Sequence, residues 1–225
     1  AENGRQMKSH TMKKDGVTLI EILISVSVVA IISVVVMQFT SWMTNAQKIT
    51  SWKQGAVDEQ RLNEIFWQKH FTGATSRIES MVVDAQGVIT TPAVIATEPV
   101  MIRGGGSGSL MAAYPADGKE WPVWEFKTYE KEAATSKYIE STVTGFLKGT
   151  TPNIEFYGRI TRNGEVIADQ KLMSNVHEIS ASSRYFPDEN VTVLTVDFVV
   201  SYPFQDKLQV RKQSNFRIST ILETF

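Results

Sequence analysis

One carboxylate is set apart by its surroundings. Glu21 lies within residues 17–37, VTLIEILISVSVVAIISVVVM, where sixteen of 21 residues are apolar and no other is charged. After Glu21 the next charged residue is Lys48. A carboxylate so placed can do what its neighbours cannot: bind a cation where water is scarce. On membrane-insertion scales such a residue costs about 2.5–3.5 kcal/mol near a helix centre, and less towards the end, where Glu21 stands. A plain apolar anchor gains nothing from it, so the placement points to a positive partner in an assembled state.

Other residue types that carry chemistry are not brought together by the sequence. His10, His70 and His177 are scattered, with no HExxH pair among them. His10 falls in the basic N-terminal segment, His70 reads as a helix C-terminal cap, and His177 as a strand or turn residue. Residues 103–110, RGGGSGSL, lack the lysine and spacing of a phosphate-binding loop and read as a solvated, flexible loop. There is no GxSxG. The absence of cysteine excludes disulfides, thiolate metal sites and cysteine nucleophiles. Asp188-Glu189-Asn190 could offer calcium oxygens, but after Pro187 they read as a turn. Tyr114, Trp121, Trp124, Phe126 and Tyr129 read as a core strand, with an exposed recognition patch as the sharper alternative. The net charge of −1 gives no electrostatic case for nucleic acid. The expectation is a protein that is not an enzyme, with no catalytic residue, cofactor or metal.

The elements that position Glu21 follow from composition. Residues 1–16 are polar and lean basic through Arg5, Lys8, Lys13 and Lys14. The next 21 residues, at 1.5 Å rise each, make a helix of about 31 Å, which matches a hydrocarbon core of roughly 30 Å. The basic flank is N-terminal, so the positive-inside rule keeps residues 1–16 cytoplasmic and sends the C-terminus out. A secretory signal peptide has a shorter apolar region and a small-residue cleavage site; only a weak Thr44-Asn45-Ala46 is available here.

Beyond the apolar run, Trp42, Ala46, Ile49, Trp52, Ala56, Leu62 and Phe66 recur at helical spacing, with Arg61, Glu64 and Lys69 off that stripe. These residues predict one helix from 17 to about 70, its second part packed by the stripe against the protein's own head. From about residue 75 the pattern becomes that of strands, expected at 80–89, 120–129, 153–160, 165–173, 176–182, 191–202 and 208–218. Arg162-Asn163-Gly164 supplies a hairpin turn. The expected fold class is α+β: a long N-terminal helix, transmembrane in its first half, on a mostly antiparallel β head.

Gly16-Val17-Thr18-Leu19-Ile20-Glu21, with lysines before it and an apolar run after it, closely resembles the processing site of type IV prepilins. Val17 stands where that family most often has Phe, and Asp15 where a basic or polar residue is usual. The resemblance implies that a prepilin peptidase cuts after Gly16, that Val17 becomes the N-methylated first residue, and that Glu21 pairs with the N-terminal amine of a neighbouring subunit. A glycine before the cut leaves no side chain in the way of the protease. Met7 or Met12 is a candidate start. Major pilins usually carry a C-terminal disulfide loop, which this chain cannot form. The segments SNVHEISASSRYF and VTVLTVDFVVSY look like those of J-type minor pseudopilins of type II secretion or W-type minor pilins.

The resemblance implies a leader at 1–16, a long helix at 17–74 with 17–37 in the membrane or filament core, and a head at 75–225. Its implied partners are the prepilin peptidase, other minor and major pilins or pseudopilins, and an inner-membrane assembly platform with its ATPase. The implied location is the inner membrane, single-pass, with the head outside the cytoplasm, and then the pilus or pseudopilus. The function expected is a minor pilin or pseudopilin priming or capping a filament tip. The alternatives are a major pilin and a membrane-anchored binding module without a filament.

Overall fold

Val and Ile are mediocre helix formers in water, because branching at Cβ costs rotamer freedom against the preceding turn. Where water is absent, backbone groups have only each other as partners, and the same residues become helical. The computed structural model describes residues 17–72, 100–103, 107–131, 138–189, 191–203 and 205–219. A single helix, α1, runs Leu19–Thr72. The chain divides into two compact units, residues 1–48 and residues 49–225.

In the first unit the large apolar side chains of α1 are exposed throughout, from Leu19 to Met43. By length and composition the helix can cross a membrane. Five of its hydroxyls are satisfied within the helix. Ser25, Ser27, Ser33, Thr40 and Thr44 each donate to the carbonyl four residues back, at 2.7–2.8 Å. In hydrocarbon an unmade hydrogen bond is costly, so this arrangement suits an apolar surrounding.

Among the described residues of the second unit, nine strands form two antiparallel sheets. They are β1 (Met101–Ile102), β2 (Ser107–Ser109), β3 (Trp121–Lys131), β4 (Tyr138–Thr150), β5 (Asn153–Arg162), β6 (Glu165–Met173), β7 (Val176–Phe186), β8 (Val191–Tyr202) and β9 (Gln205–Ser219). One sheet has the order β1-β3-β4-β5-β6 and the other β2-β7-β8-β9. The α+β arrangement expected from the sequence is present. The expected strand at 80–89 lies outside the described residues.

The sequence reading misses β4 altogether. Its inward residues are Ser141, Val143, Gly145 and Leu147, and two of these four carry no apolar side chain. Gly145 reads as a strand breaker, yet the packing requires it. A Cβ there would fall 2.5 Å from Trp124 Nε1 and 3.1 Å from the Phe156 ring. Its cross-strand partner on β5 is Gly158, where a Cβ would fall 2.5 Å from Phe66. The paired glycines form a notch that admits these rings.

Two further expectations are corrected. Residues 103–110 are not simply a flexible loop: Ser107–Ser109 is β2, paired with β7, and Leu110 is buried at the start of a short 3-10 helix. The inner stripe of α1 is displaced in part: Trp52, Ala56 and Phe66 pack against the core as expected. It runs Trp52, Ala56, Gln60, Asn63, Trp67 and Phe71, while Leu62 is 58% exposed and Trp42 is 67% exposed. Polar residues occupy the inner face because each finds a partner. Gln60 Nε2 donates to the Val210 carbonyl at 3.3 Å, and Trp67 Nε1 donates to Asn63 Oδ1 at 2.8 Å. Glu64, expected off the stripe, pairs with Lys212 and accepts from the Ser214 hydroxyl.

Trp67, fully buried, centres the core. Its ring lies 5.0 Å from Trp124 on β3 and 5.8 Å from Phe156 on β5. Phe71 reaches Phe126 on β3 and Phe216 on β9. The helix therefore closes on both sheets at once. The expected hairpin is present as well: Asn163 (φ 50°) and Gly164 (φ 81°) are left-handed, as a two-residue turn of this kind requires.

Candidate functional site

The start of α1 is built by four residues. Thr18 precedes the first helical residue, and its carbonyl accepts from the Glu21 and Ile22 amides at 3.1 and 3.3 Å. This is the N-cap position. A helix N-terminus leaves amides without partners, and Glu21, three residues on, reaches back to one of them. Its Oε2 accepts from the Thr18 amide at 2.8 Å and from the Thr18 hydroxyl at 3.1 Å. The Glu21 amide in turn donates to Thr18 Oγ1 at 3.4 Å. The reciprocal pattern is a capping box, and a carboxylate in the first turn is also favoured by the helix dipole.

Val17 is 69% exposed and lies just before the cap. Gly16 lies outside the described residues. Thr18 carries no functional expectation from the sequence. The signal was legible: Thr-x-x-Glu before an apolar run is the capping-box pattern. The prepilin-like pattern occupies the same residues and is the more specific of the two.

The residues considered for other chemistry have structural places in the head. Trp124 and Phe126 are buried in the core. Tyr114 donates its hydroxyl to the Gly149 carbonyl at 2.8 Å, and Trp121 lies under the Arg103 guanidinium at 3.6 Å. The side chain of Tyr129 lies outside the described set. His70 stands in the last turn of α1, its ring 4.5 Å from Phe66. His177 is an exposed strand residue of β7. Glu189 pairs with Arg217 at 2.7 Å, Asn190 is outside the described residues, and among the described residues no cluster of His, Asp and Glu could hold a metal ion.

On the outer face of the five-stranded sheet the charges compensate one another. Arg159 donates to both Glu120 oxygens at 2.8 and 2.9 Å, and to Asp169 at 2.7 Å. That hydrogen bonding holds the Glu120 carboxyl below the usual glutamate range. Tyr157 donates to Glu155 at 2.7 Å, which pushes its phenol up to about 12. At neutral pH the Glu120 and Glu155 carboxyls stay ionised and the Tyr157 phenol stays protonated, as suits a solvated structural face.

Residues 11–37 match the prokaryotic N-terminal methylation motif. The match ends before the head begins. No curated protein and no solved structure matches the chain. The motif is a type IV pilin signature and supports a type IV pilin-like protein. It indicates a structural subunit, and it implies processing by a prepilin peptidase and assembly with other pilins. An N-terminal helix long enough to cross a membrane fits a membrane-anchored pilin.

Proposed function

We propose that the chain is a minor subunit of a type IV pilus or a type II secretion pseudopilus, similar to J-type minor pseudopilins or W-type minor pilins, that primes or caps the filament tip. In this reading the peptidase cuts after Gly16 and releases residues 1–16. Val17 is then N-methylated. The segment 17–74, which contains α1, crosses the inner membrane through residues 17–37, with the head at 75–225 outside the cytoplasm. An assembly platform and its ATPase supply the work of extraction.

The observation that carries the reading is Glu21, an acid in the first turn of an exposed apolar helix and inside the methylation motif. In the bilayer it can lie near the interface, where water limits its cost. A filament core holds little water, so there the charge needs a cation. Cleavage creates one, the α-amine of Val17. Two charges about 4 Å apart attract by ~4 kcal/mol at an effective dielectric near 20, and leaving one buried alone is costly.

Glu21→Gln removes the charge at nearly constant shape. In cells with an active assembly machine it should leave membrane insertion and cleavage near normal and reduce recovery in filaments at least tenfold. For a subunit at the extreme tip, a binary interaction assay with the other minor subunits is the readout. Wild-type behaviour of Glu21→Gln in both assays would refute the pairing role.

A further inference from the structure

We infer that Thr18 is a positioning residue for Glu21: the capping box holds one carboxylate oxygen and presents the other to the incoming amine. This rests on the assembly reading of Glu21 above. Both Thr18 donors converge on Oε2, at 2.8 and 3.1 Å. Among the described residues Oε1 makes no hydrogen bond. A carboxylate has about four acceptor positions, so the box leaves room for a charge-assisted bond on Oε1 without unmaking the cap.

The two roles of Glu21 are therefore compatible in one rotamer. Without the box the side chain would be free to turn, and rotamer entropy would be lost when the amine arrives. The helix start would also fray, with its first amides unpartnered in a medium that cannot solvate them. With the box the acid is ordered before its partner is present. This differs from a hand-off, in which Glu21 would have to leave its own helix to pair.

The chemistry of the box separates it from the charge. Glutamine at this position also completes a capping box, so Glu21→Gln keeps the cap and loses the charge. Thr18→Val keeps the charge, the shape and the backbone amide but loses the hydroxyl. Thr18→Ser restores the hydroxyl. All variants are made in the full chain. Incorporation into filaments, or binding to the other minor subunits, is normalised to the processed fraction, so that any change in cleavage is divided out. Thr18→Val should lower incorporation about fivefold, the shift a lost side-chain cap gives, and Thr18→Ser should stay within about twofold of wild type.

Amide exchange of Thr18, with the full chain in detergent micelles, reads the box itself. Glu21→Gln should keep the wild-type protection and Glu21→Ala should lose it. Normal incorporation of Thr18→Val, beside a strong Glu21→Gln defect, would overturn the positioning role and leave the charge pairing standing. Equal losses for Val and Ser at position 18, or full protection in Glu21→Ala, would overturn it too. Wild-type incorporation of Glu21→Gln would remove the charge pairing and the positioning role together.

Discussion

The two parts of α1 are the same secondary structure made by different means. In residues 19–48 the large apolar side chains are exposed, and Ser25, Ser27, Ser33, Thr40 and Thr44 turn to their own backbone. In residues 49–72 an inner face is buried; Gln60 and the neighbouring Glu64 reach partners on β9, and Asn63 accepts from Trp67 of the same helix. The first segment, exposed and apolar around its circumference, suits a uniform apolar solvent, where any rotation about the helix axis is nearly equivalent. The second is fitted to one surface in one register. Glu21 and Thr18 are the exception within the first segment, a directional feature where direction otherwise has no meaning.

The comparison breaks first at Trp67. A fragment beginning at residue 42 should dissolve without detergent, and in it Trp67→Ala should destabilise the fold by about 3–5 kcal/mol by urea denaturation. Val29→Ala in the full chain, in detergent, should leave the unfolding of the head unchanged. If Trp67→Ala unfolds at the wild-type midpoint, the inner face of 49–72 has been misassigned.

A smaller effect sharpens the account of the polar stripe. Asn63→Ala leaves the buried Trp67 Nε1 without its acceptor, so a loss of about 1–3 kcal/mol is expected. Leu62→Ala, one position away but exposed, should cost about 0.5 kcal/mol or less. Equal costs at 62 and 63 would favour the stripe expected from the sequence over the one observed.

That stripe illustrates what the sequence makes legible. The apolar run, its match to membrane thickness and the hairpin at Asn163-Gly164 depend on local composition, and local composition is visible in one dimension. The inner face of 49–72 depends on what stands opposite. Gln60 is buried because Val210 offers a carbonyl, and nothing at position 60 announces that. Likewise β4 is concealed because Gly145 is a cavity for Trp124, and a residue chosen to be absent leaves no pattern. At the N-terminus the opposite holds. Residues 16–21 carry the prepilin-like pattern, residues 18–21 of them also carry the capping box, and the more specific pattern obscures the more general one.

The smallest expected effect is acid sensitivity of the head. Glu120 and Glu155 are held below the ordinary glutamate value of 4.5, chiefly by hydrogen bonds from Arg159 and Tyr157. A depressed carboxyl stabilises the fold above its unfolded value, and that contribution is lost as pH falls through the lower folded value. Stability of the residue-42 fragment should thus be flat from pH 7 to about 5 in these groups and decline below 4.5. Glu120→Gln should shallow that decline. An unchanged slope would mean that the Arg159 network is solvent-screened to no effect.

The central proposal is that residues 1–16 are a leader removed from an assembly subunit, and the N-terminus itself tests it most directly. Intact-mass and peptide mass spectrometry of the chain from cells with an active prepilin peptidase should find Val17 as the first residue, carrying one methyl group on its amine. Gly16→Val should leave the uncut precursor to accumulate. An intact leader in those cells, or a cut near Ala46 that removes the apolar helix, would contradict the account.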